Sequence, residues 1–155
     1  MEFEIALYRS LDFTPVCMLE RKSEECGYPA AVFIRQMEEL VPATFFVARS
    51  GGDVIGFAVG AMTGTGNQDA WVLRLCVLPG YQRKGIGSAL MSRLIRALAS
   101  SGAGQVFLSV SPSNVAARGL YGKLEFSAIR NIENYFGPGE DRLILRREIP
   151  GPGSD

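Results

Sequence analysis

A chain of 155 residues that is 47% apolar and 21% charged has the length and balance of one globular domain with a sizeable core. Its 16 Lys and Arg are matched by 16 Asp and Glu, which argues against a dedicated nucleic-acid binder with its basic excess. With no histidine and three scattered cysteines, Cys17, Cys26 and Cys76, the usual zinc and haem ligand sets are missing and no metal is expected.

From the N-terminus, residues 3–9 alternate as a strand does, and 13–22 read as a short helix. CGYP (26–29) is a turn, with Pro29 suited to a first helical position. Ala30, Phe33, Ile34, Met37, Leu40 and Val41 then form a helical apolar stripe, with Arg35, Glu38 and Glu39 off it. TFFVAR (44–49) is a strand, Ser50-Gly51-Gly52-Asp53 a hairpin turn, and VIGFAVGAM (54–62) the returning strand. After a loop at 63–68, AWVLRLCVL (70–78) is a strand that stops at Pro79-Gly80. Residues 84–100 form the strongest helix. Ile86, Ala89, Leu90, Leu94, Ala97 and Leu98 share its buried face, and Gly102 and Gly104 close it. QVFLSVS (105–111) is a strand. Ser113 or Asn114 caps the next helix, which buries Ala116, Ala117, Leu120, Tyr121 and Leu124. Strands near 126–133 and 142–149 follow.

This order predicts an α/β protein with a mixed sheet, in which the two late helices serve as crossovers. One domain is expected over residues 1–149, with a loosely ordered Pro/Gly tail at 150–155. No apolar run reaches the roughly 18 residues of a membrane span. MEFEIALYRS lacks the plan of a signal peptide, and the odd cysteine count suits a reducing compartment. A soluble, cytoplasmic protein with neither membrane nor nucleic-acid partners is expected.

The stretch YQRKGIGSAL (81–90) stands between a strand and the best helix. A glycine turn at a helix start aims backbone N–H groups at an incoming anion, and the helix dipole adds partial positive charge there. Arg83 and Lys84 reinforce it. The P-loop string is absent, and Gly85-Ile86-Gly87-Ser88-Ala89-Leu90 lacks the third glycine of the dinucleotide fingerprint. What remains is Gln82-x-x-Gly85-x-Gly87. Here the sequence resembles the GNAT superfamily of N-acetyltransferases, whose turn holds the diphosphate of acetyl-coenzyme A. A second segment, SNVAARGLYGKLEF (113–126), resembles that family's S-N-x-x-A-x-x-x-Y-x-x-x-G-F signature, with Glu125 in place of its glycine. The turn into the next strand is therefore expected to differ.

The resemblance implies the GNAT fold: a mostly antiparallel sheet of about seven strands, with flanking helices and one splayed strand pair. It implies acetyl-CoA as cosubstrate, held by Gln82, Arg83, Lys84, Gly85, Ile86, Gly87 and Ser88 in the turn, by Asn114 and Lys123, and along Leu75, Cys76 and Val77. The Val77 N–H is the candidate for the thioester carbonyl, and Tyr121 for the general acid that reaches the sulfur. The motif pattern is similar to that of RimI-type protein N-terminal acetyltransferases, in which a glutamate stands where this chain has Ser109. By the same resemblance Tyr28, Pro29, Tyr135 and Phe136 line the acceptor groove. The expected acceptor is a protein or peptide α-amine. The alternatives are a small amine (polyamine, amino acid or aminoglycoside), or a sensor that holds acyl-CoA without turnover. The assembly is expected to be a monomer or homodimer.

Overall fold

The computed structural model describes residues 1–22 and 29–151. Tyr28 and the turn at 26–28, together with the end of the tail, lie outside the described residues. Seven strands form one sheet: β1 (Glu4–Leu7), β2 (Phe45–Ser50), β3 (Asp53–Met62), β4 (Asp69–Val77), β5 (Gln105–Val110), β6 (Ser127–Ile132) and β7 (Arg142–Glu148). Among the described residues four α-helices accompany them: α1 (Phe13–Lys22), α2 (Ala30–Leu40), α3 (Ile86–Ser100) and α4 (Val115–Lys123). The spatial order is β1-β2-β3-β4-β5-β7-β6, and only the β4–β5 pairing is parallel. Helix α3 makes that parallel crossover, and α4 carries the chain from β5 past β7 to β6.

The central strands are buried on both faces, so β2 reads as a near-continuous apolar run. Alternation along it feeds two cores. Phe45, Val47, Phe57 and Val59 pack with Val16, Leu19 and Ile34 of α1 and α2. Phe46, Ala48, Ile55 and Ala58 pack with Ile86, Leu90, Met91, Leu94 and Leu98 of α3 on the other face. The fully buried Asp12 carboxylate pairs with Arg49 on β2 at 2.7 Å and accepts from the Arg9 N–H at 2.8 Å, which fixes how α1 leaves the sheet edge.

Several details differ from the sequence-based expectations. Pro29 is the N-cap of α2 and not its first helical residue. Leu40 ends α2 72% exposed, because the helix stops before that face returns to the sheet. Ala116 is exposed, as the face of α4 turned to the core carries Ala117, Leu120, Tyr121 and Leu124 instead. The turn after α4 keeps the glycine-type backbone despite Glu125, whose φ is +67. The Phe126 N–H bonds the Tyr121 carbonyl at 3.0 Å and the Glu125 N–H bonds that of Gly122 at 3.1 Å, a Schellman closure that usually takes glycine. The long, exposed contact of Glu125 with Arg147, 3.9 Å, offsets little of that strain. Glu125→Gly should therefore raise stability by about 1 kcal/mol, read as a higher urea midpoint at unchanged slope.

Candidate active site

Strand β4 parts from β5 after three residue pairs, Asp69–Gln105, Ala70–Val106 and Trp71–Phe107. The stacked rings of Trp71 and Phe107, 5.4 Å apart, stand at the point of division. Beyond it, β3 pairs Gly60 with Val72 and Val59 with Arg74, leaving Leu73 as an extra bulged residue. The Leu78 N–H bonds the Ile55 carbonyl on β3 at 2.8 Å. Strand alternation therefore turns both polar backbone groups of Val77 to the opposite, divided edge. There the Gln82 side-chain amide donates to the Val77 carbonyl at 3.1 Å.

Gln82 leads into the glycine turn. Arg83 (φ 61) and Gly85 (φ 82) both take left-handed backbone, and Gly85 is the N-cap of α3. A Cβ at Gly85 would meet nothing within 4 Å, so its requirement is conformational. Gly87 differs: a Cβ there would lie 3.2 Å from Leu120 and 3.9 Å from Leu75 and Val77, filling the wedge between α3, α4 and β4. The Ala89 N–H closes onto the Gly85 carbonyl at 3.0 Å, so the N–H groups of Ile86, Gly87 and Ser88 precede the helical ladder and face outward. Arg83 and Lys84 are exposed beside them, the Lys84 ammonium 5.8 Å from the Tyr81 ring. Backbone donors, a helix start and two cations suit a diphosphate.

Helix α4 supplies the opposite wall. Asn114, and not Ser113, is its N-cap, accepting from the Ala117 N–H at 3.1 Å. Lys123 is exposed in its last turn. Tyr121 is only 9% exposed and meets Phe126 edge-on at 5.9 Å. Burial pushes its phenol up to about 12, with the nearby Arg74 charge pulling the other way. Burial likewise pushes Tyr8, in the α1/α2 core, to about 12. Below pH 10 both phenols are neutral in the folded and unfolded chain alike. As pH climbs from 10 toward 12 the unfolded chain ionises first, so stability should fall in that window. A phenolate absorbance titration should show two phenols ionising near pH 12 in the folded protein, and at about 10 in denaturant.

The remaining sequence-chosen residues divide by face. Leu75 and Val77 pack toward α3, whereas Cys76 packs toward α1, so the three side chains do not share one wall. Ser109 is half-buried on β5, past the last β4–β5 pair, opposite Ile144 of β7. Two carboxylates, Asp69 and Glu38, are engaged elsewhere. Asp69 accepts from Gln105 at the paired end of β4, and Glu38 is held by Ser10 and Arg35. Tyr135 and Phe136, 4.8 Å apart, are exposed on the β6–β7 loop, not packed in the core. The Asn134 N–H to Asp141 at 2.8 Å and the Gly139 N–H to Asn134 at 2.9 Å hold that loop. Pro29 is exposed at the start of α2. Sequence reasoning missed Glu20 and Arg74, which form a bidentate ion pair at 2.9 and 3.0 Å beside the division. A charged residue inside the apolar strand AWVLRLCVL was the available signal.

Among the described residues no group of three His, Cys, Asp or Glu is placed to hold a metal, and no helix is long and apolar enough to cross a membrane. A family model, Acetyltransferase (GNAT) family, matches residues 6–126. An N-alpha-acetyltransferase of Sulfurisphaera tokodaii is 30% identical over 154 residues, spanning 93% of this chain and 92% of its own. The ribosomal protein bS18-alanine N-acetyltransferase of Escherichia coli is 31% identical over 139 residues, spanning 81% of this chain and 94% of its own. The crystal structure of Ard1 from Thermoplasma volcanium superposes with a TM-score of 0.86 at 24% identity, covering 97% of this chain and all of that one.

Proposed function

This chain belongs to the acetyltransferase (GNAT) family, and on that premise we propose that it acetylates the N-terminal α-amine of a protein or peptide, with Tyr121 donating to the departing thiolate. That it is an acetyl-CoA-dependent N-acetyltransferase follows from the family and its N-alpha-acetyltransferase relatives. The observation that carries the finer reading is the divided edge of β4. It brings the Val77 backbone beside the glycine turn while Tyr121 comes from α4.

In this reading the N–H groups of residues 86–88, with Arg83 and Lys84, take the diphosphate of acetyl-CoA, and Asn114 and Lys123 flank its arm. The Val77 N–H receives the thioester carbonyl as charge builds on its oxygen. The neutral amine attacks the carbonyl carbon, the C–N bond forms, the nitrogen gives up one proton that ends in solvent, the C–S bond breaks, and the sulfur takes the electron pair. Tyr121 is fully protonated at neutral pH and donates to that sulfur. Because its pKa of about 12 exceeds the roughly 8.5 of a thiol such as cysteine, its role is to stabilise the thiolate by hydrogen bonding.

No histidine is available as a base, and a serine at 109 does no more than orient water. This favours an amine that is already partly neutral. An α-amine, with a pKa of about 7.7–8.0, is roughly a tenth neutral at pH 7, whereas a lysine amine is neutral less than about one part in a thousand. The exposed pair Tyr135 and Phe136, with Pro29, offers an apolar rim for a peptide backbone.

Thiol release from acetyl-CoA tests this across N-terminal peptides, lysine peptides and small amines. At pH 7 the α-amine peptides should react at least about tenfold faster than the others. With subsaturating peptide, the rate should rise about tenfold per pH unit until roughly pH 8 and then level off, without a falling limb near neutrality. Faster release with polyamines would move the acceptor to small amines. Coenzyme A binding without release to any amine would make the protein a sensor.

A further inference from the structure

The contact between α1 and β4 carries an inference that rests on the N-terminal acetylation reading. The bulge at Leu73 brings Arg74 to the α1/α2 face of the sheet. Its guanidinium meets the Glu20 carboxylate twice, Nε to Oε2 at 3.0 Å and Nη2 to Oε1 at 2.9 Å. Beside it the Cys76 thiol donates to the Leu19 carbonyl at 3.7 Å. The C-terminal part of α1 is thus laid along residues 74–76, next to Val77 and on the face of the sheet opposite α3. Glu20 is 9% exposed there, and its charge lies toward the negative end of its own helix, where a carboxylate costs stability. A well-packed apolar pair would hold α1 as firmly. The Arg74 charge also acts on the Tyr121 phenol, drawing its pKa down against the larger effect of burial.

We propose that Glu20 receives the acceptor α-amine on the attack side of the thioester, and that Arg74 is the positioning residue that holds its carboxylate there. Attack by a neutral amine on a neutral thioester creates positive charge on nitrogen and negative charge on oxygen and then sulfur. A carboxylate near the nitrogen and a phenol toward the sulfur have the matching polarity, and the Arg74 guanidinium leaves the ion pair with no net charge. The nitrogen sheds one proton to Glu20, which returns it to solvent. The sulfur leaves as a thiolate that accepts a hydrogen bond from Tyr121, and it takes its proton from solvent. The proton count closes without histidine and without a carboxylate at position 109.

Three variants test this on the full chain: Glu20→Gln, Glu20→Asp and the double exchange Glu20→Leu/Arg74→Met. The readouts are kcat and KM with an α-amine peptide, their pH profile, acetyl-CoA affinity by calorimetry, and thermal midpoint. Glu20→Gln should lower kcat/KM by about 10²-fold while acetyl-CoA affinity stays within about twofold. Glu20→Asp should recover part of the loss. The double exchange should fold with a midpoint near that of the parent and remain impaired, since it keeps the packing and loses the charges. Parent-like kcat/KM in Glu20→Gln, or activity restored in the double exchange, would reduce the pair to a structural brace and overturn the inference, leaving N-terminal acetylation intact. An inactive parent chain against every α-amine peptide would bring down both.

Discussion

Replacing Tyr121 by phenylalanine should lower turnover by about 10²-fold or more while acetyl-CoA affinity changes little. The ring is buried and packs edge-on against Phe126, so phenylalanine keeps the packing and removes the hydroxyl alone. Nothing in the ground state needs that hydroxyl charged, because burial holds it protonated to about pH 12. In the proposed reaction its donation to sulfur strengthens only as negative charge develops there. The loss should therefore appear in kcat and kcat/KM to the same extent, the pattern of an interaction made in the transition state. Parent-like turnover in Tyr121→Phe would remove the phenol from the reaction.

Substitutions in the glycine turn should act on the other substrate property, coenzyme A affinity. Gly87→Val places atoms where even a Cβ would be 3.2 Å from Leu120, so it should push α4 from α3 and close the wedge between them. Affinity measured by calorimetry should fall at least about tenfold, with about 1–3 kcal/mol lost in stability from overpacking. Gly85→Ala separates the two causes. Its Cβ meets nothing, but the left-handed backbone at φ +82 costs an alanine about 1–2 kcal/mol, and relaxing it would turn the first N–H groups of α3 away from a common point. Weakened coenzyme A binding in both variants is the expected result. Unchanged binding in both would mean that the phosphates lie elsewhere.

The fold was legible where patterns were local. The apolar stripe of α3, the Gly51-Gly52 hairpin and the Asn114 cap each follow from spacing over a few residues, and the element order follows from them. The Glu125 turn was misread from chemistry alone. Glycine is the usual solution for a left-handed residue after a helix, yet the surrounding Schellman bonds hold a glutamate there. The exposure of Leu40 at the end of α2 and of Ala116 at the start of α4 depends on how each helix is rotated and bounded against the core, which periodicity does not encode. The site was legible as two motifs, but not as a meeting of faces. That Cys76 points away from Leu75 and Val77, and that the Leu73 bulge delivers Arg74 to Glu20, are consequences of strand register. No spacing in the sequence links residues 20 and 74.

A structure determined with acetyl-CoA bound tests the account most directly. The diphosphate should rest on the N–H groups of Ile86, Gly87 and Ser88, the thioester carbonyl should accept from the Val77 N–H, and the sulfur should lie within hydrogen-bond reach of the Tyr121 hydroxyl. A cofactor bound away from the α3 start, or a thioester on the far side of β4 from Tyr121, would contradict it.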